Sequence, residues 1–193
     1  PSAAQSVVTL YRAYRESLTN NSAMAEQLAS QEGTSQTEAL RFPIEEVRDY
    51  FHDTNNHFPE LENAAETLWA DAELTLDDLH IGLRDHLKAA HDISVRIMPI
   101  DVLPGTTWRL DRHSRRLFLS EVLNAPSRTF QLALHAGLLG YRGLIDEMVS
   151  RTGLQGDEAK QLCRLGLANY FAGAVTMPYE RFQTAADKLR YDI

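Results

Sequence analysis

The 193-residue chain is predicted to be an α+β protein, mostly helical, with a small three-stranded antiparallel sheet. Apolar residues recur at helical spacing through most of its length. Alternation with period two is confined to the stretch from Ile93 to Leu119, which is also punctuated by turn residues. Together these features place one compact unit on the chain, with a helical part over residues 1–91 and a mixed part over 92–193.

Val7, Leu10, Tyr11, Tyr14 and Leu18 give an amphipathic helix over Ala4–Leu18. Ser30 to Glu38, with Gly33, Ser35 and Thr37, reads as a loop. Pro43 and Pro59 each suit the first turn of a helix, where a missing N–H and a fixed φ are harmless. Ile44, Val47 and Phe51 line the first of these helices, and Leu61, Leu68 and Trp69 the second. Thr75 is the expected N-cap of a helix to about Ala90, with Asp77 and Asp78 at its positive end.

Three short strands follow, marked by Ile93, Val95 and Ile97, by Trp108 and Leu110, and by Leu117 and Leu119. Pro104-Gly105 makes one turn, and Asp111-Arg112-His113-Ser114 joins the last two strands as a hairpin. Helices are then expected over Ser127–Val149, Asp157–Val175 and Pro178–Leu189, with Gly140 and Gly143 breaking or kinking the first.

The most informative stretch is Phe130-Gln131-Leu132-Ala133-Leu134-His135-Ala136-Gly137-Leu138. It has the frame of a zinc-peptidase helix, in which two histidines at i and i+4 hold the metal and a glutamate beside the first acts as base. Here leucines stand at both ligand positions and His135 at that of the glutamate. A second stretch, Leu167-Ala168-Asn169-Tyr170-Phe171-Ala172, resembles the segment that completes the zinc site in ImmA/IrrE-like metallopeptidases. No carboxylate stands among Cys163, Arg164, Leu165, Gly166 and Leu167, which lead into it. The resemblance therefore implies a peptidase-like core without its metal or its catalytic residues.

Further wording narrows the likeness. Arg12-Ala13-Tyr14-Arg15, Pro43 to Phe51, Phe58-Pro59-Glu60-Leu61 and Met177-Pro178-Tyr179-Glu180-Arg181-Phe182 resemble the central domain of bacterial short-chain fatty-acyl-CoA regulators, of propionate/methylcitrate type. Members of that family carry an N-terminal helix-turn-helix, a central acyl-CoA-sensing domain and a C-terminal cysteine-containing region. The likeness covers nearly all of this chain but only the middle of such a protein, and the chain has the look of an excised piece. It implies an effector-sensing domain for short-chain acyl-CoA, propionyl-CoA first, or for CoA itself. It implies DNA contact only through a helix-turn-helix domain elsewhere, a homo-oligomer, and a cytoplasmic location.

In that reading the leucine stripe of Leu134 and Leu138, extended by Phe130, Phe171 and Met177, is a floor for a short acyl chain. Arg128, in the first turn of the same helix, is the first choice for the anionic end, because unpaired N–H groups and a guanidinium both favour phosphate there. Tyr179 is the second choice, with Arg109, Arg116 and Arg181 behind it. For each, an ordinary packing or surface role is the alternative.

Bulk properties bound the function. A formal charge of −8 disfavours nucleic-acid binding by this piece. Between Thr107 and Arg128, however, five arginines face only Asp111 and Glu121, a basic patch that suits a small polyanion or is simply a solvated hairpin. No apolar run is long enough to span a membrane and no secretory signal opens the chain. The single cysteine, Cys163, is read as a core residue, and none of the seven histidines forms an i, i+4 metal pair. Two other readings stay open: a metallopeptidase-like hydrolase with unusual ligands, and a structural domain that oligomerises through Ala4–Leu18 and Pro43–Phe51.

Overall fold

The computed structural model describes residues 34–178, with side chains from Pro43 onward. Six helices and one three-stranded sheet occupy this span. In chain order they are α1 (Thr34–Asp53), α2 (Pro59–Asp71), α3 (Leu79–His91), β1 (Ser94–Met98), a 3-10 turn (Ile100–Val102), β2 (Trp108–Asp111), β3 (Arg116–Ser120), α4 (Ala125–Gly140), α5 (Arg142–Arg151) and α6 (Asp157–Thr176). The mostly helical α+β class is borne out, and the expected helices at Ala4–Leu18 and Pro178–Leu189 lie outside the described residues.

Helix α4 organises the fold. It lies against α3 on one side and α6 on another, and every residue from Thr129 to Gly137 is buried. A helix apolar on all sides has no solvent face to present, so it must sit in the middle of the core. Helices α1 and α2 pack on α6, and the buried apolar residues of both halves of the chain form one cluster. Two glycines permit close approach: Phe171 lies on Gly137 of α4, and Phe51 of α1 lies on Gly166 of α6.

Three local expectations need correction. α1 begins at Thr34 rather than after a loop to Glu38, and Pro43 lies inside it rather than in its first turn. Proline's φ is helical, so the helix continues through Pro43 at the loss of one backbone donor. Thr75 is not the cap of α3; Asp78 takes the N-cap position, without a side-chain cap bond. Leu74 and Leu79 are both buried, and Leu76 between them is exposed, so the chain bends over these residues instead of coiling.

The sheet is mixed, not purely antiparallel, with strand order β1-β3-β2. β2 and β3 form the expected hairpin, while β1 runs parallel to β3. The connection through the 3-10 turn and Gly105 carries the chain past the position beside β1, so β2 becomes an edge and β3 the centre. Leu117 and Leu119 of that central strand are fully buried on the core face. The break expected near Gly140 and Gly143 falls at Tyr141, between α4 and α5.

Candidate functional site

The degenerate helix starts with a well-made cap. Asn124 accepts the backbone N–H of Ser127 at 2.9 Å, Pro126 sits in the first turn, and the Thr129 hydroxyl donates to the Ala125 carbonyl at 3.0 Å. Capping satisfies one of the orphan donors of the first turn. The leucine stripe and His135 follow on the next turns.

Leu134 is 2 % exposed and Leu138 is half-buried against the core. His135 is 1 % exposed, with Nδ1 2.8 Å from the Gln131 carbonyl. A carbonyl can only accept, so Nδ1 carries the proton and Nε2 is left as a bare acceptor. That nitrogen has no hydrogen-bond partner among the described residues, and the ring meets Trp108 of β2 edge to face at 4.7 Å. Burial pushes the imidazole pKa down to about 4, only partly opposed by the Gln131 bond. His135 is therefore neutral at ordinary pH.

On α6, Cys163 is fully buried and burial pushes its thiol up to about 11, so it is neither a nucleophile nor a thiolate ligand. Asn169 donates through Nδ2 to the Leu165 carbonyl at 2.9 Å. Among the described residues no three His, Cys, Asp or Glu side chains gather as a metal-ligand group. Gln131 Oε1 and Asn169 Oδ1 are further buried acceptors without a partner among these residues. This part of the core thus holds polar atoms that ordinary packing would satisfy.

A cationic corner forms where α3 meets the start of α4. Arg128 donates from Nη2 to the Glu121 carbonyl at 2.8 Å, while its Nε is buried with no partner among the described residues. The Thr129 hydroxyl lies 3.5 Å from His80 Nδ1. Burial first, then the charges of Arg84 and Arg128, hold the His80 imidazole below its usual pKa. Sequence reasoning missed His80 as a neighbour of the start of α4, because nothing local said that its face of α3 meets that helix.

The predicted residues divide into three groups. Phe130, Leu134 and Phe171 come together in the core and are almost wholly buried, and Leu138 and Met177 keep partial exposure. Arg109 and Arg116 sit on the outer face of the sheet, in register with Phe118 and Asp111, opposite to the buried Leu117 and Leu119. They are not brought to the leucine stripe. Tyr179 and Arg181 lie outside the described residues.

Comparison with known proteins places this geometry in context. Residues 88–193, more than half of the chain, match the IrrE N-terminal-like domain. The HTH-type transcriptional regulator PrpR of Mycobacterium tuberculosis is 38% identical over 164 residues, covering 83% of this chain and 33% of PrpR. RamB, another HTH-type transcriptional regulator of that organism, is 34% identical over all 193 residues, which cover 40% of its length. A propionyl-CoA carboxylase regulator of Cereibacter sphaeroides is 31% identical over 193 residues, covering 39% of that protein. A solved Mycobacterium tuberculosis transcriptional regulator superposes with a TM-score of 0.73 at 36% identity, over 78% of this chain and 46% of that one. The chain thus spans a third to two fifths of the curated relatives it matches. With a match over its whole sheet and all of α4 to α6, the chain belongs to the IrrE N-terminal-like domain family.

Proposed function

We propose that this chain is the effector-sensing part of a transcription regulator and that its effector is a short-chain acyl-CoA, propionyl-CoA first. The carrying observation is Arg128, whose buried Nε has no partner among the described residues, in the first turn of a sixteen-residue helix. Its guanidinium meets only a carbonyl there, that of Glu121, among the described residues. A phosphate there would accept charge-assisted bonds from the guanidinium, at a helix start that itself favours an anion. The names of the relatives, three regulators and one of them of propionyl-CoA carboxylase, support the same reading.

The acyl end meets a packed core rather than an open floor. Leu138 and Met177 offer exposed apolar surface, whereas Leu134, Phe130 and Phe171 become available only if α4 and α6 separate. Effector binding would therefore favour a slightly opened arrangement over the closed one, and the difference in shape is the signal passed to a DNA-binding domain elsewhere in the regulator. In this reading the chain does no chemistry, needs no metal, acts in the cytoplasm as part of a homo-oligomer, and touches DNA only through that other domain. No helix among the described residues is long and apolar enough to cross a membrane.

Calorimetric titration with propionyl-CoA, CoA, propionate and zinc tests the reading. Saturable binding of propionyl-CoA at micromolar concentration or tighter, weakened at least tenfold in Arg128→Ala, is the expected result. No heat with any CoA species ends the proposal. Tight zinc binding with peptide hydrolysis would instead favour the metallopeptidase reading.

A further inference from the structure

The outer face of the sheet carries a row that the functional reading leaves unused. Arg96 of β1 and Arg109 of β2 both pair in register with Phe118 of β3, so the phenyl ring stands between two arginines. Neighbouring strands lie about 4.8 Å apart, which sets the two arginine Cα atoms roughly 10 Å from each other. The Arg109 guanidinium lies 5.3 Å from the ring centroid, a cation–π contact that orients it. Arg116 is on the same face, two residues along β3, and Arg112 is exposed in the adjoining turn.

The described arginines divide into those with a carboxylate partner and those without, Arg48 and Arg128 being among the latter. Arg84, Arg115, Arg142, Arg151 and Arg164 each have a carboxylate within 4 Å. Arg96, Arg109, Arg112 and Arg116 have none among the described residues, and all four are exposed. Asp111, the acid nearest in register, is engaged with its own turn, accepting from the backbone of His113 and Ser114 and from the Ser114 hydroxyl. A chain with eight surplus negative charges has carboxylates to spare, yet leaves this face bare.

The counterpart is elsewhere on the same chain. From Asp53 to Leu79 there are eight carboxylates and no lysine or arginine. Glu60 pairs with Arg151 and Glu62 accepts the Tyr170 hydroxyl, but Glu66, Asp71, Glu73, Asp77 and Asp78 are exposed with no ion pair among the described residues. Leu76, 59 % exposed, adds an apolar point to this acidic strip, as Phe118 does to the basic face. No ion pair joins the two faces within the chain among the described residues.

We infer that the basic sheet face docks on the acidic α2 strip of a second copy of this chain. The interface is head-to-tail, and it either closes into a ring or extends. Charge complementarity sets its orientation and makes it sensitive to salt. Leu76 and the Phe118 ring supply the apolar contact that two charged surfaces alone lack.

Sedimentation of the wild-type chain, with Arg96→Glu/Arg109→Glu and Glu66→Lys/Glu73→Lys variants, tests this, with circular dichroism confirming that each is folded. In low salt, about 20 mM, where screening is weak, the wild type self-associates, and near 0.5 M it does so at least tenfold more weakly. Each double variant alone has two like-charged faces and stays monomeric. An equimolar mixture of the two associates, because each supplies the face the other has lost. A wild type that is monomeric at every salt concentration overturns the inference, as does self-association that ignores both pairs of substitutions. Binding of a labelled random-sequence DNA duplex through Arg96 and Arg109, with no self-association, also overturns it and assigns the face to nucleic acid instead.

Discussion

The ring of Phe171 lies so close to Gly137 that a Cβ at position 137 would stand 2.6 Å from its Cδ1. The missing side chain at Gly137 lets α4 and α6 approach closely at this point. Phe171 is fully buried and its ring also meets Tyr141 at 4.8 Å, so it has little room to retreat. Gly137→Ala should therefore overpack the core and lower stability by about 1–3 kcal/mol, against a helix-propensity gain of at most about 1 kcal/mol. Urea denaturation measures the net effect, and an unchanged or raised midpoint would show that the ring yields freely.

His135 should make the protein acid-sensitive in a defined window. Its folded pKa of about 4 lies below the value near 6.5 expected in the unfolded chain. The unfolded state then binds the proton first, so stability is greatest above pH 6.5 and falls as pH drops toward 4, by up to about 3 kcal/mol. His80, His86 and His91 are lowered too, and act in the same direction. Comparing wild type with His135→Gln isolates the one residue: the variant's melting temperature should fall less between pH 7 and 4.5. Parallel curves for the two proteins would remove His135 as the cause.

Cys163 should behave as a core methylene substitute. Its thiol is buried and its pKa is raised to about 11, so a colourimetric thiol reagent at pH 8 should react slowly in native protein and fast in urea. Equal rates in both conditions would mean that α6 opens readily, which would itself favour the ligand-entry route proposed above.

The Tyr170 hydroxyl donates to Glu62 Oε1 at 2.6 Å and receives the Phe58 N–H at 3.4 Å, tying α6 to the start of α2. Tyr170→Phe keeps the edge-to-face packing on Phe58 but removes the charge-assisted bond. A loss of about 1.5–3 kcal/mol is expected on thermal or urea unfolding. A loss below the error of measurement would place this bond among the solvated, energetically silent ones.

Metal removal should do nothing. With leucine at both 134 and 138, which resemble the ligand pair of a zinc-peptidase helix, neither added chelator nor added zinc is expected to move the melting temperature. A chelator-dependent drop would reveal a metal site built from other residues.

Much of this was legible before any coordinates. The resemblance of the Leu134–Leu138 stretch to a zinc-peptidase helix is read from residue identities alone, and a leucine side chain has no donor atom to hold a cation in any fold. The positions of α4 to α6 and of the β2–β3 hairpin followed from periodicity and turn chemistry, which act over a few residues. Periodicity says which residues share a face, but not which partner that face meets. Only the tertiary structure set β1 parallel to β3, and so put Arg96 and Arg109 on either side of Phe118. Only it sank Phe130, Leu134 and Phe171 into the core and brought His80 beside Arg128. Those outcomes depend on the path of a connection and the crossing of helices far apart in the chain, and no local pattern encodes either.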